Sequence, residues 1–350
     1  MTDIDTLFNQ LQKSISKEAG VAIHKGGDMG LSSHVPFYIP TGIPPLDCIF
    51  RGGWPAGKII ELYGFEKSGK TAAALSAMAE CNALGGYNLF IDTERSWDKE
   101  RALSAGVDLD RTLVAETPSI ESTFRMIENF LESIETASRG TPIVIVVDSI
   151  TGATTEDELS NTLSSEARIG QEAKQIRRGI RRIVWQIAEK NVIMFFVNHA
   201  VSKMVSWGKS SQSAGGHALK FMSTIRIEFK DIGKILDPSN KSMLLGQKIQ
   251  MEVEKFKGGS LHIFKIETEL RNGLYNKVDG LLEAGLLLGV IEHPFRSKSY
   301  TIFPHTEDQK EFAKNHWESV VEEFGGYTSL YRKIFDFAIE QGRIQPWLTS

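Results

Sequence analysis

The chain has 350 residues, 41% hydrophobic and 24% charged, with a formal net charge of −4, the balance of a water-soluble protein with one large core and room for a smaller domain. No apolar run reaches transmembrane length and the start, MTDIDTLFNQ, is acidic and polar, which argues against a membrane span or secretory leader and for a cytosolic or nucleoid setting. The slight acidity excludes a uniformly basic surface but leaves room for a local basic groove, and Cys48 and Cys81 are too few for a disulfide framework or a zinc site.

Residues 3–18 place Leu7, Phe8, Leu11 and Ile15 at helical spacing and predict a short amphipathic helix. VAIHK, after Gly20, reads as a short strand, and the stretch up to Gly42 as loop. Such a segment folds back on the core or docks on another subunit, and its residues leave both open. From Lys58 the apolar runs KIIELYG, YNLFID, RTLVAE, IVIVVD and NVIMFFVN alternate with helical stretches. Nearly continuous apolar strands are those of a parallel sheet covered on both faces, so the core is α/β. STIRIEFK, QKIQMEVEKF and SLHIFKIETE follow closely and predict an antiparallel extension of the sheet. From about Leu270 the periodicity turns mostly helical, in NKVDGLLEAGLLLGVIE and QKEFAKNHWESVVEEF, and marks a C-terminal domain.

The strongest chemical signal is GFEKSGKT, Gly64 to Thr71, between a strand and a helix. Glycines let backbone N–H groups turn onto phosphates while the following helix points its positive end at them. Lys70 is placed to reach the β and γ phosphates of a nucleoside triphosphate, and Thr71 to put its hydroxyl on Mg²⁺. In an open parallel sheet ligands collect at the carboxyl ends of strands. IVIVVD ends in Asp148, a candidate for the Mg²⁺ shell whose bland alternative is a helix cap. YNLFIDTE ends in Asp92 and Glu94; Glu94 is the candidate base for an attacking water, against a solvated loop carboxylate. NVIMFFVNHA ends in Asn198 and His199, where a γ-phosphate sensor would sit, although a lone histidine is more often structural. The polar stretch that follows carries Lys203, Met204, Val205, Trp207 and Lys209, cations and flat or apolar groups suited to a single nucleic-acid strand. Lys174, Arg177, Arg178, Arg181 and Arg182 lie on a predicted helix, spread over more than one face, and alone are weak evidence for DNA.

Together, PTGIPPLDCIFRGGWPAGKIIELYGFEKSGKT, FIDTERSWD, IVIVVDSI, VNHAVSK and AGGHALKF, in this order, resemble the RecA family of DNA recombinases, from the N-terminal helix to at least residue 292. VEKFKGG resembles the segment whose paired lysines, here Lys255 and Lys257, enter the ATP site of the neighbouring subunit. The resemblance implies a RecA-like P-loop ATPase core at residues 34–269, an N-terminal polymerisation helix and strand at 1–33 and a small C-terminal α/β domain at 270–350. It implies ATP and Mg²⁺ as cofactors, a helical filament on single-stranded DNA, and pairing with homologous duplex DNA. By matching position, Gly64, Lys67, Ser68, Gly69, Lys70 and Thr71 hold phosphate and metal, Asp98 lies near adenine, Glu94 is the base and Asp148 closes the Mg²⁺ shell. Lys255 and Lys257 then act in trans. The first DNA loop falls around Ala153 to Arg168 and the second around Ala200 to Gly215, reaching Gly216, with Met204 resembling a wedge between base triplets and Phe221 a subunit contact.

Three departures stand out. His199 replaces the glutamine of bacterial members and resembles bacteriophage recombinases; Arg101 stands where an aromatic ring often covers adenine; and RIQPWLTS lacks an acidic tail. Two other readings share the phosphate loop, a regulatory or scaffolding ATPase of the same fold and a hexameric helicase motor. The lysine pair and the N-terminal segment fit filaments better.

Overall fold

The computed structural model describes residues 4–19, 35–134, 140–160, 170–202, 211–214, 217–257 and 264–343. Helix α1 (Ile4–Ala19), as its apolar spacing predicts, belongs to a unit separate from the body, which begins at Phe37; VAIHK lies outside the described residues. In the body, β1 (Tyr38–Ile39) pairs with β2 (Trp54–Pro55) across α2 (Pro44–Ile49), a helix that opens on two prolines whose missing N–H groups have no partner to lose in a first turn. Then β3 (Lys58–Gly64), α3 (Lys70–Ala83), β4 (Tyr87–Asp92), α4 (Lys99–Ser104), β5 (Thr112–Glu116) and α5 (Ile120–Ser133) alternate. The alternation continues through β6 (Ile143–Asp148), α6 (Glu156–Ser160), α7 (Gln171–Glu189) and β7 (Ile193–Ser202). After β8 (Ser211–Ser213) and α8 (Ala218–Met222) come four strands, β9 (Ile225–Leu236), β10 (Leu244–Phe256), β11 (Phe264–Arg271) and β12 (Leu274–Tyr275).

Ten described strands form one sheet in the order β12-β11-β10-β9-β3-β7-β6-β4-β5, with β8 beside β7. From β9 to β5 the pairing is parallel; β10, β11 and β12 run antiparallel, as expected for the closely spaced later strands. The two-residue period of the strands sorts the apolar runs into two layers. Val144 and Val146 of β6 face α3, while Ile143, Ile145 and Val147 face α5 and α7. Both layers are buried, which is why the strand sequences do not alternate with polar residues. On the second face, α5 and α7 approach closely because Gly179 has no side chain: a Cβ there would lie 2.3 Å from the Phe124 ring.

A third core gathers α9 (Lys277–Leu287), β13 (Ile291–Glu292), β14 (Ser299–Ile302), β15 (Lys310–Ala313), α10 (Trp317–Glu323) and α11 (Tyr327–Glu340) around Leu281, Trp317 and Phe335. Here the helical periodicity misleads. Lys310–Ala313, the start of the run taken as a helix, pairs instead with β14 and sets Phe312 opposite Tyr300, and the true helix begins only at Trp317. Four residues are too few for a period to settle, and the ring contacts of Phe312 with Tyr300 and Trp317 decide the matter.

Asp47 of α2 ties α11 of this third core to the Thr41 turn between β1 and α2. It is fully buried, accepts the Thr41 N–H at 2.7 Å and accepts the Tyr331 hydroxyl of α11 at 2.8 Å. Burial outweighs those hydrogen bonds and pushes its pKa up to about 8. An acid whose folded pKa exceeds its unfolded value takes up a proton on folding, so this group's contribution to stability declines as pH rises from about 4 to about 8.

Gly179→Ala should cost about 1–3 kcal/mol through overpacking against Phe124; urea unfolding of the purified variant checks this, and an unchanged midpoint would show that the two helices are not in close contact.

Candidate functional site

Parallel pairing brings the chemical residues to one edge. Gly64 stands level with His199 on one side and Phe229 on the other, and Asp92 level with Asp148. This is the carboxyl edge of the sheet, where ligands bind in open α/β folds.

The loop between β3 and α3 is built for close backbone approach. A Cβ at Gly64 would lie 2.3 Å from the Phe229 carbonyl oxygen and 2.7 Å from the Ser68 hydroxyl. Lys67 and Gly69 take left-handed backbone, with φ of 58° and 94°, the kind of turn from which anion-binding nests are made. Gly69 starts α3 without a side-chain cap, so the first N–H groups of the helix are left for an anion. The far end of the sheet braces this turn, since the Tyr275 hydroxyl donates to the Gly69 carbonyl at 2.9 Å.

Lys70 is buried and donates to the Gly64 and Phe65 carbonyls at 3.0 and 2.7 Å, and Ser68 donates to Phe65 at 2.7 Å. Burial lowers the Lys70 pKa against the opposing pull of Asp148 and Glu94. The Thr71 hydroxyl donates to Asp148 Oδ2 at 2.7 Å, and burial raises the Asp148 pKa to about 6. One hydroxyl and one carboxylate fit Mg²⁺, which takes few protein oxygens and fills its octahedron with phosphate and water. Among the described residues no cluster of three His, Cys, Asp or Glu could hold a metal by itself.

The β4 end is shaped by Asp92, which accepts the N–H groups of Glu94 and Trp97 at 3.0 and 2.7 Å, while Trp97 packs on Phe90. That turn delivers Glu94 to two donors: Ser149 Oγ bonds to its Oε1, and His199 Nε2 meets the same oxygen at 2.7 Å. The His199 bond holds the Glu94 carboxyl below the usual range, and Glu94 raises the imidazole above it. A histidine raised in the folded state contributes stability below its unfolded pKa and loses it as pH climbs through the folded one.

Asn198 turns away from the edge. Its amide donates to Glu61 at 2.9 Å and to the Ala214 carbonyl at 3.0 Å, and its oxygen accepts from Thr151 at 3.0 Å. It is a buried clamp, which leaves His199 as the sensor candidate of that pair. Glu61 also meets Arg226 at 2.5 Å, and Arg226 reaches Glu254 at 3.0 Å and lies over the Tyr63 ring. Asp98 caps α4 by accepting the Arg101 N–H at 3.1 Å.

Lys255 and Lys257 lie elsewhere. Lys255 donates to the Lys220 and Phe221 carbonyls at 2.6 and 3.1 Å and Lys257 to Phe221 at 3.2 Å, around the end of α8. Burial, with Lys257 beside it, lowers the Lys255 pKa to about 8. Phe229 faces Met251 across β9 and β10, and Lys255 is four residues further along β10, toward the opposite edge of the sheet. At about 3.3 Å per residue the lysines stand roughly 13–20 Å from the level of Gly64. Phe221 beside them is 67% exposed.

Arg168, Lys203, Met204, Val205, Trp207, Lys209, Gly215 and Gly216 lie outside the described residues. On α7, Lys174, Arg177, Arg178 and Arg181 are exposed, and Arg182 pairs with Glu128 at 2.6 Å. Sequence reasoning missed Ser149, Tyr275 and the Glu61–Arg226 pair. Only Ser149, next to Asp148, had a local signal.

The family model described as the RecA N-terminal domain matches residues 3–271. Curated relatives bearing the name Protein RecA include that of Bartonella bacilliformis, 29% identical over 91% of this chain and 89% of its own. That of Bartonella quintana is 30% identical over 81% and 80%, and that of Francisella tularensis subsp. novicida 32% over 73% and 67%.

In NMR titration the His199 imidazole should lose its proton above pH 6.5, and Glu94→Gln should bring that midpoint down; an unperturbed midpoint in the unaltered protein would break the pair.

Proposed function

This chain belongs to the RecA family of recombination proteins, and on that premise we propose that it forms filaments on single-stranded DNA and exchanges strands with homologous duplex DNA. Hydrolysis of ATP with Mg²⁺ accompanies the exchange and depends on DNA. The observation that carries the reading is the convergence of the 64–71 loop, Glu94, Asp148 and His199 at the ends of adjacent parallel strands.

In this mechanism Gly64, Lys67, Ser68 and Gly69 shape the cradle, Lys70 neutralises phosphate charge, and Thr71 with Asp148 holds the metal. Bound Mg²⁺·ATP supplies the transferable phosphoryl group with part of its charge already neutralised. Glu94 accepts a proton from the attacking water at Oε1 or its neighbour, and Ser149 and His199 orient that carboxylate. His199 acts as the γ-phosphate sensor in place of an amide, and Asp98 flanks the base. The distance of Lys255 and Lys257 from their own phosphate loop supports a role at the next subunit's site, where two ammonium groups act on the γ-phosphate as an arginine finger does. The exposed Phe221 and the 1–33 segment extend that subunit contact. The loops at 153–168 and 200–216 hold DNA, the core spans 34–269, and 270–350 forms the C-terminal domain. A cytoplasmic setting, in a bacterium or during phage infection, suits these substrates; no helix among the described residues is long and apolar enough to cross a membrane.

A D-loop assay with matched and mismatched duplexes tests the proposal, because only recombination requires homology. Lys70→Ala should abolish ATP-dependent assembly on DNA, and Glu94→Gln should assemble but hydrolyse at least a hundredfold more slowly. Lys255→Ala with Lys257→Ala should lose DNA-stimulated turnover while still binding nucleotide. Product formed equally from unmatched duplex, or full stimulation in the double variant, would overturn the corresponding role.

A further inference from the structure

Gly152 is exposed and its backbone lies outside the left-handed region, so neither core packing nor turn conformation calls for a glycine there. Its neighbour does. A Cβ at this position would stand 2.6 Å from Glu94 Cγ and 2.7 Å from Glu94 Oε1, well inside ordinary contact distance. The missing side chain is the space that Glu94 occupies while it meets Ser149 Oγ and His199 Nε2. The turn that carries Gly152 is held at several points. The Gly152 N–H closes it onto the Ser149 carbonyl at 3.1 Å, the Ile150 N–H donates to the Val197 carbonyl of β7 at 3.0 Å, and the Thr151 hydroxyl donates to Asn198 at 3.0 Å. The Thr93 hydroxyl donates to the Ser149 carbonyl at 2.6 Å and accepts the Ser149 N–H at 3.0 Å. A side chain on Gly152 would therefore meet a tethered backbone and a flexible carboxylate, and the carboxylate is what gives way.

We infer that Gly152 is a positioning residue for ATP hydrolysis: its empty space lets Glu94 reach Ser149 and His199 together, and a side chain there pushes the carboxylate off both. The inference rests on Glu94 being the base that accepts a proton from the attacking water. Gly152 touches no reacting atom, and its effect passes through Glu94. A base must lie within hydrogen-bond reach of the proton it takes, and a misplacement of about 1 Å costs on the order of a hundredfold in rate. The cost falls on rate rather than on stability. Gly152→Ala displaces only a side chain at the edge of the sheet, and it narrows the unfolded ensemble, which favours the folded state.

Single-turnover hydrolysis by the full-length protein, with affinity measured separately by displacement of a fluorescent ATP analogue, splits rate from binding. Gly152→Ala should hydrolyse at least about tenfold more slowly and bind ATP within about twofold of the unaltered protein, with a urea midpoint unchanged or raised. In NMR titration without nucleotide the same substitution should bring the His199 midpoint down toward about 6.5, because the imidazole loses its carboxylate. In a Glu94→Gln background Gly152→Ala should slow hydrolysis no further, the non-additivity expected when one residue acts through another. A rate or a His199 midpoint unmoved by Gly152→Ala, or a further loss in the Glu94→Gln background, overturns the role of Gly152 while leaving Glu94 as the base. An unaltered protein that binds ATP without hydrolysing it, or one that hydrolyses as fast after Glu94→Gln, overturns the base and this inference together.

Discussion

Strand β3 pairs in parallel with β7 on one side and with β9 on the other, and this double register fixes the level of every group at the site. It sets Gly64 against the Phe229 carbonyl so closely that no side chain fits between them. It carries His199 to the same height, where Glu94 arrives from two strands away on a turn organised by Asp92. A slip of one residue in β3 would turn Ile60 and Leu62 out of their layer and pull the loop away from Asp148. Packing and chemistry thus depend on the same pairing.

Buried charges reinforce that register. Glu61 on β3, Arg226 on β9 and Glu254 on β10 form one linked set, and Lys230 joins Glu228 to Glu252 across β9 and β10. Apolar neighbours of similar volume would stabilise the sheet at least as well, because desolvation offsets much of the attraction between buried ions. What the ions add is selectivity of alignment: aliphatic contacts tolerate sliding by two residues, whereas a displaced Arg226 would leave the buried Glu61 charge with only the Asn198 amide as partner. Arg226 also bonds Ser213 at 3.1 Å, so the buried ion set is tied to β8, which lies within the 200–216 stretch expected to bind DNA.

Much of this was legible in the sequence because its causes are local. The continuous apolar runs gave the parallel strands, and GFEKSGKT gave the loop, since each depends on neighbours within a few residues. Asp148 and Glu94 were legible because they end such runs. Tyr275 and Arg226 were not, because their partners Gly69 and Glu61 are 206 and 165 residues away and no periodicity encodes a single long-range bond. Asn198 and His199 looked alike as polar strand endings; the alternation of β7 separates them, one inward and one toward Glu94. Lys310–Ala313 was misread because a short edge strand beside a helix carries too few residues to show its period.

The bond between Asp47 and Tyr331 joins residues separated by 284 positions. A ribosome adding about 5–20 residues per second takes roughly 15–60 seconds to cover that interval. Throughout it, Asp47 has been synthesised while its hydroxyl donor has not, so α2 cannot reach its final surroundings during that time. Docking of α11 then encloses the carboxyl and draws a proton onto it, which makes closure of the third core a late, vectorial event whose completion is coupled to the acidity of its surroundings.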